Sequence, residues 1–253
     1  MEIVLLGSGN VATHLGNILY KSGQNIIEVY NKFDESGSIL AKKLNAKFIN
    51  NISEINKNAD LYIISVVDSF LTELISKLDI NNGFVVHTSG TNNINCLNKF
   101  KDYGVLYPLQ TFSKNAILNY DNIPFLLEAN SINNLNFLKD FCNTFSDNIF
   151  EINSEKRKIV HVSAVFACNF TNYMFSISND ILKNNDISFD ILKPLIQETV
   201  NKALQNNPKL SQTGPAKRKD IKIINQHLKL LESDKDYQKI YELLSNNIIK
   251  DFN

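Results

Sequence analysis

Neither sign of charge prevails in this chain of 253 residues: Lys and Arg total 26, and so do Asp and Glu. A balanced surface lacks the basic field of a nucleic-acid binder or a polybasic membrane anchor, so no partner of either kind is expected. Cysteine is scarce as well. The three present, Cys96, Cys142 and Cys168, are scattered and odd in number. They offer neither a disulfide framework nor metal-ligand spacing, which points to a reducing compartment and to no metal. No apolar run reaches the ~20 residues of a membrane helix. The first strand starts at residue 2, ahead of which a signal peptide has no room. A cytoplasmic location is the expectation. What remains is a chain long enough for one large domain or two modest ones around a substantial core.

The stretch that organises the rest is the first sixteen residues. An apolar run, Ile3 to Leu6, breaks at Gly7-Ser8-Gly9 and passes into a helical pattern at Val11, Ala12 and Leu15. Strand, glycine turn and helix in that order open a dinucleotide-binding βαβ unit. Gly7 suits a sharp turn. Gly9, lacking a side chain, lets a pyrophosphate approach the amides of Gly9, Asn10 and Val11 at the positive end of a helix dipole. Ala12 stands where a third glycine is usual, and Gly16 one turn later keeps the helix close to the sheet.

A second strand, Ile26 to Tyr30, ends at Asn31-Lys32 before a helix over 34–43. This strand end is where such folds read the adenosine ribose. An amide followed by a cation tolerates a 2′-phosphate that a carboxylate would repel, so Asn31 and Lys32 favour NADP over NAD, unless a shifted register brings Glu28 there instead. Leu61 to Val67 reads as a buried parallel strand, delivering Val67 and Asp68 toward the nicotinamide ribose. Asp68-Ser69 equally suits the N-cap of a helix over 70–78. The next strand, Gly83 to His87, presents His87, Thr88 and Ser89 as a substrate-facing loop. Strands over 104–107, 124–129 and 148–152, with a helix over 134–145, complete a Rossmann domain of residues 1–152.

From residue 153 to 253 the pattern is helical, with segments over 155–184, 188–205, 220–231 and 234–249 and a break or kink at Pro194. On the first of these, His161, Cys168, Asn169 and Asn172 fall at i, i+7, i+8 and i+11, roughly one face. A polar stripe on an apolar helix needs partners, which a ligand or another helix supplies. His161 is the candidate proton donor or acceptor, since imidazole titrates near neutrality. Thr213-Gly214-Pro215-Ala216 precedes Lys217-Arg218-Lys219. Part of this is turn chemistry, but Arg218 has the fork that matches a carboxylate or phosphate.

Taken together, Gly7-x-Gly9-Asn10-x-Ala12, Tyr30-Asn31-Lys32 and the helical second half resemble the superfamily of pyrroline-5-carboxylate reductase and 6-phosphogluconate dehydrogenase. More closely, His87-Thr88-Ser89-Gly90, Tyr107-Pro108-Leu109-Gln110-Thr111-Phe112, the helix of residues 161–172 and Thr213–Ala216 resemble a bacterial family. Its members join a Rossmann-like domain to a C-terminal domain called DUF2520 and are labelled coenzyme F420-dependent NADP oxidoreductases. The resemblance implies NADP binding, hydride transfer, and an all-α C-terminal domain of the 6-phosphogluconate dehydrogenase type that pairs in a homodimer. The chain departs from better-understood relatives in two places. His161 stands where 3-hydroxyacid dehydrogenases have a lysine with an asparagine one turn on, and Thr213–Ala216 replaces the Ser-Pro-Gly-Gly-Thr-Thr loop of pyrroline-5-carboxylate reductases.

The expectation is therefore an NADP-dependent oxidoreductase acting on a small carbonyl or imine. His161 would exchange the proton, Asn169 or Asn172 would orient the substrate, and Arg218 would hold an acidic group. Two rivals stand beside it: a non-catalytic dinucleotide-binding sensor or scaffold, and a reductase that passes hydride between F420 and NADP.

Overall fold

The protein is described from a computed structural model covering residues 1–114, 120 and 122–252, the side chain of residue 34 excepted. It divides into two compact units, Met1–Cys168 and Asn169–Asn253. In the first, β1 (Glu2–Leu6) leads to α1 (Asn10–Lys21), β2 (Asn25–Tyr30), α2 (Asp34–Lys43) and β3 (Lys47–Ile49). The chain then crosses to β4 (Leu61–Ile64), α3 (Asp68–Lys77), β5 (Phe84–His87) and β6 (Asp102–Pro108). It closes with β7 (Phe125–Ala129), α4 (Ile132–Cys142), β8 (Ile149–Glu151) and α5 (Ser154–Ala164).

Among the described residues the strands form one sheet of eight, ordered β3-β2-β1-β4-β5-β6-β7-β8. All neighbours run parallel except β6 and β7, which pair antiparallel from Gly104↔Ala129 to Pro108↔Phe125. Both sheet faces are covered, and the residues of β1 show why its sequence reads as a continuous apolar run. Ile3 and Leu5 point into one core with Leu15, Leu19, Val29 and Leu40. Val4 and Leu6 point into the other with Tyr62, Ile64, Leu71 and Leu74. On α1, buried Ala12, Leu15, Ile18 and Leu19 repeat at helical spacing and dock it on the first core.

The topology sets the site. β1 lies between β2 and β4, so the chain leaves β1 toward one edge and later returns on the other side of it. At that switch the loops after β1 and β4 part, and a crevice opens at the strands' carboxyl ends. The expected α/β Rossmann fold with a helical continuation is therefore what this sequence builds. β4 stops at Ile64, earlier than its apolar run suggests, because Ser65 begins the turn that packs on the glycine loop.

The second unit is helical throughout its regular elements: α6 (Thr171–Lys183), α7 (Lys193–Gln205), α8 (Ile221–Leu230) and α9 (Lys235–Asp251). Helices α8 and α9 pack together, with His227 Nδ1 2.7 Å from the Tyr241 hydroxyl. Tyr237 donates to Asp180 on α6 at 2.9 Å. Pro194 lies in the first turn of α7, where its missing N–H costs nothing, so it starts this helix after a short 3-10 turn over Phe189–Leu192. A π-turn, Val165–Phe170, separates α5 from α6 in the segment whose sequence reads as one long helix.

Candidate active site

Gly7 sits at φ +124°, and a Cβ there would lie 2.1 Å from the carbonyl oxygen of Ser65. Only glycine fits both constraints. The Gly7 amide donates to the Tyr30 carbonyl at 2.8 Å, fixing the turn against β2. Gly9 is the N-cap of α1; a Cβ on it would meet nothing within 4 Å. No side chain caps this helix and its first turn holds no acidic residue. Open space in front of uncapped amides, at the positive end of a dipole that no carboxylate offsets, is what a pyrophosphate requires. The residues present thus fit a dinucleotide. A Cβ on Gly16 would come within 2.7 Å of Leu44 Cδ1 at the end of α2 and 3.2 Å of Leu5 Cδ2 on β1, so this glycine lets α1 approach both.

At the end of β2, the Asn31 side chain donates to the Phe33 carbonyl at 2.8 Å and to Ser36 Oγ at 3.1 Å. Ser36 in turn lies 2.8 Å from Ser8 Oγ, so the glycine turn and the start of α2 are linked through hydroxyls. Lys32 is exposed, with its Nζ 5.9 Å from the centre of the Phe70 ring. Glu28 does not take the strand-end position: it is buried and accepts from the Asn56 amide at 2.8 Å. The far side of the loop is tied down by α1. Asn10 Nδ2 donates to the Phe112 carbonyl at 2.9 Å. His14 Nε2 donates to the Ser113 carbonyl at 2.8 Å, while its Nδ1 lies 3.1 Å from the Tyr120 hydroxyl.

These elements border one pocket of about 760 Å³, within the range of cofactor sites. It brings together Gly7, Ser8, Gly9, Asn10, Val11, Asn31, Lys32, Val67 and Asp68 with Thr88, Ser89 and His161. Asp68 is not the cap of α3, which is Val67; it opens the helix, and its carboxylate accepts from the Thr91 hydroxyl at 2.6 Å. Ser89 Oγ accepts from the Asn92 amide at 3.0 Å and the Asn92 side chain at 2.9 Å, closing a turn after β5.

His87 is absent from the lining. It is fully buried, its Nδ1 accepts from the Ser89 amide at 3.1 Å, and burial, helped by Arg157, pushes its pKa down to about 3. A ring in that state is neutral and shapes the Ser89 turn.

Gly90, Tyr107 and Lys114 are among the lining residues to which the sequence assigns no role. Tyr107 Oη lies 3.0 Å from His161 Nδ1, joining β6 to α5. Burial raises the Tyr107 pKa, which keeps the phenol protonated. A Cβ on Gly90 would come within 2.6 Å of His161 Nδ1 and 3.0 Å of Tyr107 Cζ, so glycine makes room for the pair. The signal was present in Tyr107-Pro108 at a strand end, but only contact with His161 gives the tyrosine a use.

Asn169, Asn172 and Arg218 belong to the second unit and are exposed there. The stripe that groups both asparagines with His161 counts 3.6 residues per turn through Val165–Phe170, where the π-turn winds more widely. Near Arg218, Asp220 caps α8 and accepts from the Ile223 amide at 3.2 Å, so this helix start already holds a carboxylate. Lys217 is engaged with the Gln212 carbonyl at 2.7 Å and with the Phe252 ring. Among the described residues no cluster of three His, Cys, Asp or Glu could hold a metal. No described helix is long and apolar enough to cross a membrane.

Family models match over two segments: a Rossmann-like domain at residues 1–112 and DUF2520 at residues 123–248. A putative NADP oxidoreductase from Bacteroides fragilis is 40% identical in sequence. The match covers 98% of each chain with a TM-score of 0.91. An imine reductase from Myxococcus stipitatus, solved with NADP+, is 14% identical over 99% of this chain and 93% of its own, with a TM-score of 0.71. A reductive aminase from Aspergillus terreus is 9% identical over 99% and 94%, with a TM-score of 0.75. At such identities the last two share the fold. No curated protein matches the chain.

Proposed function

The chain belongs to the family that joins a Rossmann-like domain to DUF2520, and from that premise we propose that it is an NADP-dependent oxidoreductase acting on a small carbonyl or imine. One observation carries the reading: the glycine turn and the Tyr107–His161 pair line the same pocket. Bound NADP supplies or accepts the hydride. The chain's own work is to bind, orient and exchange a proton. The amides of Gly9, Asn10 and Val11 hold the pyrophosphate with Ser8 beside them, Asn31 and Lys32 take the 2′-phosphate, and Val67 and Asp68 border the nicotinamide ribose. Thr88 and Ser89 offer hydroxyls to the substrate.

His161 holds the proton that the substrate's oxygen or nitrogen gains or loses. Its Nδ1 is engaged by Tyr107 at 3.0 Å, so Nε2 is the nitrogen left for substrate. For Asn169 and Asn172 as orienting residues, and for Arg218 on an acidic group, the support is the sequence pattern. We also assign the protein to the cytoplasm as a homodimer.

Fluorescence of the dihydronicotinamide, excited to the red of any protein absorption, reports NADPH binding directly. Enhancement or a blue shift saturating with NADPH is expected, with NADH binding more weakly. Absence of any response at millimolar NADPH would remove the proposal. Turnover undiminished in His161→Ala, with a substrate in hand, would remove the acid–base role alone.

A further inference from the structure

We infer that Arg157 is a positioning residue, holding His161 and the Ser89 turn in one register through a buried network that joins α5, β7 and the loop after β5. The inference rests on the reading of His161 as the proton-exchanging group, and its first test is independent of turnover. Ser154, Arg157 and His161 are spaced i, i+3 and i+7, so they share one face of α5. Arg157 is 0% exposed, beside Ser154 at 3%. Its Nη1 donates to Glu128 Oε2 at 2.5 Å, and its Nη2 to the Asn92 carbonyl at 2.5 Å and to Ser154 Oγ at 3.2 Å. Ser154 Oγ donates to the same Glu128 oxygen at 2.7 Å and accepts from the Ile94 amide at 3.0 Å.

Each bond reaches a part of the candidate site. Asn92, whose carbonyl Arg157 grips, is the residue that closes the turn on Ser89 Oγ. Glu128 sits on β7 opposite Val105, and Leu126 sits opposite Tyr107. Alternation along a strand therefore puts Glu128 and Tyr107 on the same face of the sheet. Tyr107 then meets His161 one turn beyond Arg157. The helix is fixed at Ser154, at Arg157 and at His161 against the same two strands and one loop.

A buried ion pair is weak grounds for stability, because desolvation of both charges cancels much of their attraction and an apolar pair would serve as well. Direction is what an apolar pair lacks. The planar guanidinium ties two elements at once, Glu128 on β7 through Nη1 and the Asn92 carbonyl through Nη2, and so restrains the rotation and height of α5.

The test reads His161 directly. The chain has four histidines, few enough to assign their imidazole nitrogens by NMR with Tyr107→Phe as the marker for His161. In the wild type, His161 is expected in one dominant tautomer. Arg157→Met and Glu128→Gln should both convert it to mixed tautomers, with NADPH affinity changed less than about 3-fold. Once a substrate is found, kcat should fall toward the roughly 100-fold that a displacement near 1 Å costs, while Arg157→Lys recovers part of it. If Arg157→Met fails to fold, Glu128→Gln, which keeps the shape and removes the charge, decides alone. Folded variants whose His161 pattern matches wild type overturn the inference. Failure of the wild type to bind NADPH would instead strike the oxidoreductase reading and leave this result standing.

Discussion

At Gly7 two independent constraints coincide, and either one predicts the outcome of adding a methyl group. The positive φ alone costs an L-residue about 1–3 kcal/mol, and the new Cβ would press on the Ser65 carbonyl at 2.1 Å. Gly7→Ala should lose at least that stability in urea unfolding and abolish NADPH binding; an alanine variant that binds normally would show the turn is not the cofactor seat. Gly90 makes a different case. Its methyl would meet side chains able to move, His161 and Tyr107, so Gly90→Ala should fold and bind NADPH while breaking the Tyr107–His161 hydrogen bond, seen as a change in the His161 imidazole shifts.

His87 gives a pH dependence with a definite sign. Burial lowers its folded pKa to about 3, against about 6.5 when unfolded. Below pH 6.5 the unfolded chain takes up a proton that the folded chain refuses, so this stabilisation, complete above 6.5, drains away as pH falls toward 3. The slope reaches about 1.4 kcal/mol per pH unit. Between pH 7 and pH 5 the wild type should therefore lose about 2 kcal/mol more than His87→Asn. Parallel losses in the two proteins would mean that His87 is charged or exposed in the folded state.

Individual elements were legible where one local rule decided them. The glycine turn, the break at Tyr30-Asn31 and the helix over 34–43 follow from backbone angle, strand end and periodicity. The face of the helix around His161 did not. Reading forward from His161 groups Cys168, Asn169 and Asn172, but a π-turn lies between, and nothing in Val165–Phe170 announces it. The partnered face runs backward through Arg157 and Ser154, and Arg157 sits in Glu155-Lys156-Arg157-Lys158, a run that reads as solvated charge. Its burial depends on Glu128, almost thirty residues earlier, which periodicity cannot connect. Tyr107 escaped for the same reason, its partner being 54 positions away. The end of β2 can be tested as an element. Lys32→Glu would place a carboxylate where the 2′-phosphate is assigned, costing NADPH about 10- to 100-fold in affinity, the range of one charged hydrogen bond. NADH should be nearly unaffected, and equal losses for both cofactors would show that Lys32 serves some other part of the dinucleotide.

For the whole molecule the question is what covers the second unit. Helix α7 buries none of its 13 residues, and Leu195 and Leu204 on it are 63% and 81% exposed. Helix α6 buries only Ile177, and Leu230 and Leu243 on α8 and α9 are 80% and 63% exposed. A helix of this length gains little from propensity alone, and most of its stability comes from packing an apolar face. We propose that a second copy of the chain covers these faces, since a two-fold pairing covers the same patch on both partners at once. Sedimentation equilibrium should give twice the 28.7 kDa of the monomer, and the melting temperature should rise with protein concentration, as mass action demands of a fold completed by association. Leu204→Glu should shift the balance toward monomer and lower the melting temperature. A single 28.7 kDa species at every concentration, with a melting temperature indifferent to dilution, would mean that α7 is stable uncovered and that the dimer assignment is wrong.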